Sequence, residues 1–308
     1  MKNDPVKKQI ISRGLKSLSK IYLPEIHDER IIAAIDELRR MGFSIASPLD
    51  LKPKFQIYYN LISKKKFTLN WTQKMKEDFL SVNLNYGLVA LENGDIDCLV
   101  AGASCSTSEV LRSSLRIIGL NKKSKWVSSI FFMISPDEKN VFTFSDAGVI
   151  PDPNSKQLCD IAYHASNFHK LLSNQEPKVA FLSFSTKGSA EHYKVKKVQE
   201  AVRIFNKKNP HIVHDGEIQF DAAIDVNISR RKLDNSKLNG DANVFVFPDL
   251  DSANIGYKLT QYLANYQALG PLLQGLNKPV HDLSRGCCID DIIHVSSIAA
   301  IQAQHAKL

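Results

Sequence analysis

An α/β fold with largely parallel sheets is the class that this 308-residue chain predicts. Short apolar runs alternate with amphipathic runs along its length. The apolar runs are continuous rather than alternating, the pattern of strands covered on both faces. A third observation bounds the organisation. The loop "FSDAGVIPDPNS" (144–155), with its prolines and glycine, reads as a domain boundary.

The elements follow in order. Val6, Ile10, Leu15 and Leu18 recur at roughly helical spacing, so an amphipathic helix is expected to open the chain. "SKIYLP" (19–24) reads as a strand. "ERIIAAIDELRRMG" (29–42) reads as a helix with Ile32, Ile35, Leu38 and Met41 on its apolar face and Gly42 at a C-terminal stop. "IDCLVAG" (96–102) is a buried strand. Ser106 and Glu109 form a capping-box pattern that opens the helix "EVLRSSLRII" (109–118). "WVSSIFFMI" (126–134) and "NVFTFSDA" (140–147) flank good turn chemistry and predict an antiparallel pair. A helix is predicted over 156–172, a strand over 178–185, a helix over 194–205, a strand over 243–250 and a closing helix over 289–304.

Composition narrows the function. No apolar run is long enough for a transmembrane helix, and the basic N-terminus lacks the apolar core of a secretory signal. Five cysteines with no CxxC pair fit reduced thiols in the cytoplasm. The formal charge of +8 suits nucleic acid, a membrane surface or phosphorylated small molecules. The lysine clusters "SKKKF" (63–67) and "NKKSK" (121–125) interleave no aromatics, unlike a single-strand binding groove, and read as solvated faces. The glycine patterns of a dinucleotide site and of a P-loop are absent, as are G-x-S-x-G and H-E-x-x-H.

The densest chemistry lies in "KPVHDLSRGCCIDD" (278–291). A local triad of His281, Asp282 and Ser284 is disfavoured, because adjacent side chains of an extended segment point in opposite directions. An anion site fits better. Gly286 allows close backbone approach or positive φ. A helix follows, and its free N–H groups and dipole favour negative charge. Arg285 suits a phosphate. Asp290 and Asp291 both fall in the first helical turn. On these residues alone either serves the helix dipole, and either could act as a base.

The segment "ALGPLLQGLNKPVHDLSRGCCIDDII" (268–293) resembles the C-terminal signature of the phosphate acetyl/butyryltransferase family. "LPEIHDERIIAAIDELRRMG" (23–42), "GDIDCLVAGASCSTSEVLRSSLRIIG" (94–119), "FSDAGVIPDP" (144–153), "VAFLSFSTKGSA" (179–190), "DGEIQFDAAID" (215–225) and "VFVFPDLDSANIGYK" (244–258) resemble further family blocks in family order. The resemblance implies two α/β domains flanking a cleft, related to isocitrate and isopropylmalate dehydrogenases, with the final helix returning to the first domain. With the boundary loop this gives a first domain of 1–145 completed by 284–308, and a second of 146–283.

The resemblance also implies a chemistry: acetyl-CoA and inorganic phosphate are converted reversibly to acetyl phosphate and CoA, with CoA as substrate and without a metal or permanently bound cofactor. A homodimer in the cytoplasm is expected, with no nucleic-acid or membrane partner. The family's serine and arginine match Ser284 and Arg285, and its essential aspartate matches Asp291. Arg112 matches an arginine implicated in binding phosphate or CoA. By position, Ser183, Ser185, Thr186, Lys187, Gly188 and Ser189 form a polar loop that reads either as an anion site or simply as the cap of the next helix, and Asp249, Asn254 and Lys258 follow a strand's carboxyl end, where α/β sheets place ligands. Of these, Ser183, Thr186, Lys187, Gly188, Asn254 and Lys258 are expected to contact CoA or phosphate. Cys287 and Cys288 read as small packing residues rather than nucleophiles.

The chain departs from the family at His281, where Asn is usual, which predicts activity more sensitive to mildly acidic pH. It departs again at Ile26, where a glycine is usual, and residues 50–75 match weakly. Rival readings are butyryl or another short-chain specificity, a non-catalytic acetyl-CoA-binding module, and a metal-dependent oxidoreductase of the related fold.

Overall fold

The structure, a computed structural model, describes residues 5–122, 124–233 and 235–306; Lys123 of the second lysine cluster lies outside them. The strands, in chain order, are β1 (Lys20–Tyr22), β2 (Ser44–Ala46), β3 (Cys98–Ala101), β4 (Ser128–Ile134), β5 (Val141–Ser145), β6 (Lys178–Leu182), β7 (Val213–Ile218), β8 (Val244–Val246), β9 (Gln267–Gln274) and β10 (Val280–Asp282). The α-helices are α1 (Val6–Lys16), α2 (Glu29–Met41), α3 (Pro48–Leu51), α4 (Phe55–Ser63), α5 (Gln73–Ser81), α6 (Asn83–Asn93), α7 (Thr107–Ile117), α8 (Ser155–Ser173), α9 (Tyr193–Lys208), α10 (Phe220–Ile224), α11 (Val226–Lys232), α12 (Leu250–Leu263) and α13 (Ile289–Ala306). They fall into two compact units, Met1–Lys125 with Gly275–Leu308, and Trp126–Gln274.

The first unit is built on a four-stranded sheet in the order β10-β3-β1-β2, parallel throughout. Ile21, Leu99 and Val100 are fully buried in it. Three connections leave the carboxyl ends of adjacent strands and enter helices: 23–28 from β1 to α2, 102–106 from β3 to α7, and 283–288 from β10 to α13. Parallel sheets place their ligand-binding loops at these ends. Each helix starts where local chemistry favours it. Asp28 caps α2 by accepting the Arg30 N–H, and Gly42 ends that helix in the left-handed region. Ser106 and Glu109 complete the expected capping box of α7. The buried stripe of α2 is Ile31, Ala34 and Leu38. The expected stripe of Ile32, Ile35, Leu38 and Met41 is therefore rotated, and Ile32 is 45% exposed. Repeats of three drift around a helix of 3.6 residues per turn, whereas 31, 34 and 38 follow it.

The second unit has a six-stranded sheet in the order β7-β6-β8-β5-β4-β9. Strands β7, β6, β8 and β5 run parallel, and β4 runs antiparallel to both β5 and β9. The expected β4–β5 hairpin thus forms. One core face gathers Phe131, Phe144, Ala180, Phe245 and Tyr257, with the Phe131 and Tyr257 rings stacked at 3.8 Å between centroids.

The hairpin moves the sequence-based boundary. Because β4 and β5 hydrogen-bond to β9 and β8, residues 126–145 belong to the second unit, and the division falls at 125/126 rather than 145/146. The return also comes earlier than residue 284. Strand β10 pairs with β3, which draws the chain from Gly275 onward into the first unit.

Candidate active site

In the first unit the three β–α connections are tied together by two side chains from the segment 23–30. The buried Glu25 carboxylate accepts the backbone N–H groups of Gly102 at 2.9 Å, Ala103 at 3.0 Å, Ser104 at 2.8 Å and Cys105 at 2.7 Å. Burial alone would raise its pKa. The backbone N–H groups of Cys105 and Ser104, together with the side-chain hydrogen bonds of the same two residues, outweigh that and hold it below the usual carboxylate range. This wraps the 102–105 loop around one carboxylate and sets the start of α7. The Arg30 guanidinium reaches further. It is fixed by Asp28, Nε to Oδ1 at 3.0 Å and Nη2 to Oδ2 at 2.7 Å. It then donates to the carbonyls of Ala103 at 2.8 Å, Arg285 at 2.8 Å and Cys287 at 3.0 Å.

The turn held by Arg30 carries Ser284 and Arg285, both exposed. The Arg285 guanidinium makes no hydrogen bond or ion pair among the described residues and is available to an anion. Ser284 Oγ accepts the Gly286 N–H at 3.3 Å, and Ser284 O accepts the Cys287 N–H at 2.9 Å. Gly286 needs neither of the freedoms expected of it: a Cβ there would meet only Ser284 Oγ, at 3.9 Å, and its φ is not in the left-handed region. The two aspartates at the start of α13 part ways. The Asp290 carboxylate lies 3.4 Å from His294 Nδ1. Asp291 turns back toward the turn, and its Oδ2 accepts the Cys288 N–H at 3.0 Å and the Cys288 thiol at 3.2 Å.

Beneath this turn, β10 ends in two fully buried polar residues, His281 and Asp282. Burial pushes His281 down to about 3, against a smaller opposing influence of Gln302 and Val280. It stays neutral through mildly acidic pH, so the expected acid sensitivity at this position does not follow. Burial pushes the Asp282 carboxyl up to about 7, against the opposing pull of the Thr107 hydroxyl, which donates to Oδ2 at 2.5 Å. Gly102 makes room for this carboxyl. Its φ is +106°, and a Cβ there would sit 2.1 Å from Asp282 Oδ1. Thr107 is the first residue of α7, so Asp282 joins the end of β10 to the helix that carries Arg112. Arg112 itself is exposed, with no hydrogen bond or ion pair among the described residues.

In the second unit the loop after β6 is largely satisfied by its own surroundings. The Lys187 ammonium is paired with Asp215 and donates to Gly216 O. Gly188 N–H donates to Glu217 at 2.6 Å. Ser183 Oγ accepts the Ser185 N–H. Ser185 donates to Glu217. The Thr186 hydroxyl donates to Gln219 and accepts the Gln219 N–H. Its partners, Asp215, Glu217 and Gln219, lie in the "DGEIQF" block after α9. Asp249 caps α12 through the Ser252 N–H. Asn254 donates to Ala147 O at 3.3 Å, and the exposed Lys258 lies 5.9 Å over the Tyr257 ring.

The structure brings the expected Ser284, Arg285 and Asp291 to one turn and helix start and places Arg112 on α7; sequence reasoning missed Glu25, Arg30, Thr107 and Asp282, which tie the connections together. The N-cap role of Asp28 before a helical pattern was readable; the reach of Arg30 to a turn 255 residues away was not.

An exposed arginine and serine on a turn at the carboxyl edge of a parallel sheet, with a carboxylate at the following helix start, define an α/β protein with a cation and a carboxylate where parallel sheets place their ligands. The comparisons with known proteins make this particular. The phosphate acetyl/butaryl transferase family matches residues 44–300. The phosphate acetyltransferase of Acetivibrio thermocellus is 37% identical over 326 residues, covering 97% of this chain and 98% of the relative. That of Clostridium acetobutylicum is 44% identical over 251 residues, covering 80% and 74%. Among solved structures, a phosphotransacetylase from Streptococcus pyogenes superposes with a TM-score of 0.84 at 32% identity, covering 96% of this chain and 98% of that one. This chain belongs to the phosphate acetyl/butaryl transferase family.

Proposed function

We propose that this chain interconverts acetyl-CoA plus inorganic phosphate with acetyl phosphate plus CoA through a ternary complex. The single observation that carries the reading is the grouping of an unpaired, exposed Arg285 with Ser284 and Asp291 around one turn and helix start. In the direction of acetyl-CoA synthesis, Asp291 takes the CoA thiol proton. A free thiol has a pKa of about 8.5, so without a base the thiolate is a minor species at neutral pH. The thiolate attacks the acetyl phosphate carbonyl, Ser284 donates to the developing oxyanion, and Arg285 offsets the charge on the departing phosphate. In reverse, phosphate attacks the thioester and Asp291 returns the proton to sulfur. Asp291 Oδ2 already accepts a thiol, that of Cys288, which supports its ability to face a sulfhydryl donor.

Arg112, Asn254 and Lys258 serve as contacts for CoA or phosphate, together with the loop of Ser183, Thr186, Lys187 and Gly188. For Lys187 this role requires exchange of its Asp215 partner. CoA comes and goes as a substrate, and no cofactor stays bound. The chain works as a homodimer in the cytoplasm, a setting in keeping with its five free cysteines.

The test is acetyl phosphate formation from acetyl-CoA and phosphate, with EDTA present and butyryl-CoA in parallel. Turnover with acetyl-CoA is expected. A preference for butyryl-CoA would reassign the acyl group, and loss of turnover with EDTA would put a metal into the reaction. No turnover with either thioester overturns the reading in favour of a binding module.

A further inference from the structure

We infer that Arg30 is a positioning residue that sets Ser284 and Asp291 through two peptide groups of the turn between them. The inference rests on the proposed roles of those two side chains.

One nitrogen, Arg30 Nη1, donates to Arg285 O at 2.8 Å and Cys287 O at 3.0 Å. Each carbonyl is half of a planar peptide group whose other half is the N–H of the next residue, directed the opposite way. Beyond Arg285 O, the N–H is that of Gly286, and it donates to Ser284 Oγ at 3.3 Å. Beyond Cys287 O, the N–H is that of Cys288, and it donates to Asp291 Oδ2 at 3.0 Å. The guanidinium therefore fixes the tilt of the two peptide planes that orient the proposed oxyanion donor and the proposed base. It also polarises both groups, which strengthens the N–H bonds on the far side. Nη2 spans Asp28 Oδ2 and Ala103 O, which ties the turn to the loop leading into α7.

A planar fork is needed for this work. No single donor point reaches both turn carbonyls, Ala103 O and the two Asp28 oxygens in these directions. The Arg30 side chain is 34% exposed, so it does not act mainly as core filling.

The experiment measures kcat and KM for CoA and acetyl phosphate, with thermal melting, in wild type, Arg30→Ala, Arg30→Met and Asp291→Asn. Arg30→Met keeps the apolar stem and removes every donor. All are assayed below the melting temperature of the weakest. Both Arg30 variants are expected to lose about 10²-fold in kcat, the scale of a misplacement of about 1 Å, with KM for both substrates little changed. Added guanidinium at non-denaturing concentration is expected to recover part of the Arg30→Ala loss and none of the Asp291→Asn loss. Wild-type kcat in a folded Arg30→Met, a loss confined to KM, or a loss that guanidinium leaves untouched overturns the inference. If Asp291→Asn instead retains wild-type turnover, the proposed chemistry fails first, and the Arg30 result is then read separately from it.

Discussion

Cys288 reaches one carboxylate oxygen of Asp291 twice, through its backbone N–H at 3.0 Å and its thiol at 3.2 Å. The N–H bond is half of a capping box, with the carboxylate three residues into the helix. The thiol contact is a different matter, because it occupies the oxygen proposed to face the sulfur of CoA. A substrate thiol and the Cys288 thiol compete for it. Burial, the first of the influences on Cys288, raises its pKa, which argues against a thiolate nucleophile there.

The two substitutions therefore separate. Asp291→Asn is expected to lower kcat by about 10²-fold or more, the usual scale of a lost acid–base group. Cys288→Ala is expected to fall far short of that and to lower KM for CoA as the internal competitor goes. Steady-state kinetics in both reaction directions check this. An inactive Cys288→Ala, with an acyl-enzyme burst in wild type, would make the cysteine a covalent catalyst instead.

Glu25→Ala removes the single acceptor of four backbone N–H groups in the 102–105 loop. Each buried donor left unsatisfied costs about 1–3 kcal/mol, so the melting temperature at pH 7 is expected to fall by about 10 °C or more. The native pKa of Glu25 is held low. Its contribution is thus present above the unfolded carboxylate value of about 4.3 and is lost as pH falls through the folded value. The gap between wild type and Glu25→Ala should narrow in acid. Melting curves at neutral pH and near pH 3 test this, and an equal gap at both would show that the carboxylate charge contributes nothing.

What the sequence revealed and what it hid divide by distance along the chain. The order Ser284-Arg285, a turn, then a helix bearing Asp291 is local, and turn and cap chemistry expose it. The Ser106–Glu109 box was visible for the same reason. Strands β2 and β10 have three residues each, too few for periodicity to register, and β10 decides where the chain rejoins the first unit. Glu25 meets its partners 77 to 80 residues away. In sequence it looks like any acidic residue before a helix. The same holds for Asp282, whose partner Thr107 lies 175 positions off. The weakly matching 50–75 region folds as helices and 3-10 turns in the first unit, with the ring cluster of Phe67, Trp71 and Phe79 at its edge, a pairing of aromatics that spacing alone does not disclose.

His281→Asn restores the residue usual in the family, and its effect on activity is expected to be independent of pH. With its pKa pushed down to about 3, wild-type His281 is neutral throughout the range from pH 5.5 to 8. The pH–rate profiles of the two proteins should have the same shape. Stability differs. The unfolded histidine takes up a proton below about 6.5 and the folded one does not, so wild type loses up to about 1.4 kcal/mol per pH unit as pH falls through that window. The asparagine variant lacks this loss and should gain on wild type in acid. A melting difference that stays constant from pH 7 to pH 4 would show that His281 is protonated in the fold.

Asp282→Asn should show the opposite dependence. The Asp282 carboxyl is fully buried, its Oδ2 accepts the Thr107 hydroxyl, and burial raises its pKa to about 7. Between the unfolded value of about 3.9 and about 7 the folded state holds a proton that the unfolded chain has lost. Stability contributed by the group is therefore full below pH 4 and declines as pH rises through 7. Asn keeps the shape and an oxygen for the Thr107 hydroxyl, and it never ionises. The variant is expected to match wild type near pH 4 and to gain on it by up to about 1.4 kcal/mol per pH unit above that, levelling off beyond pH 7. In wild type the losses from Asp282 and His281 run in opposite directions over pH 4 to 6.5 and offset each other there. Each single variant should therefore be steeper in pH than the double variant. Chemical denaturation of all four proteins at pH 4.5, 6 and 7.5 measures the slopes. A variant Asp282→Asn that is less stable than wild type at pH 7.5 by as much as at pH 4.5 would mean that the carboxyl is ionised in the fold and held by partners stronger than Thr107.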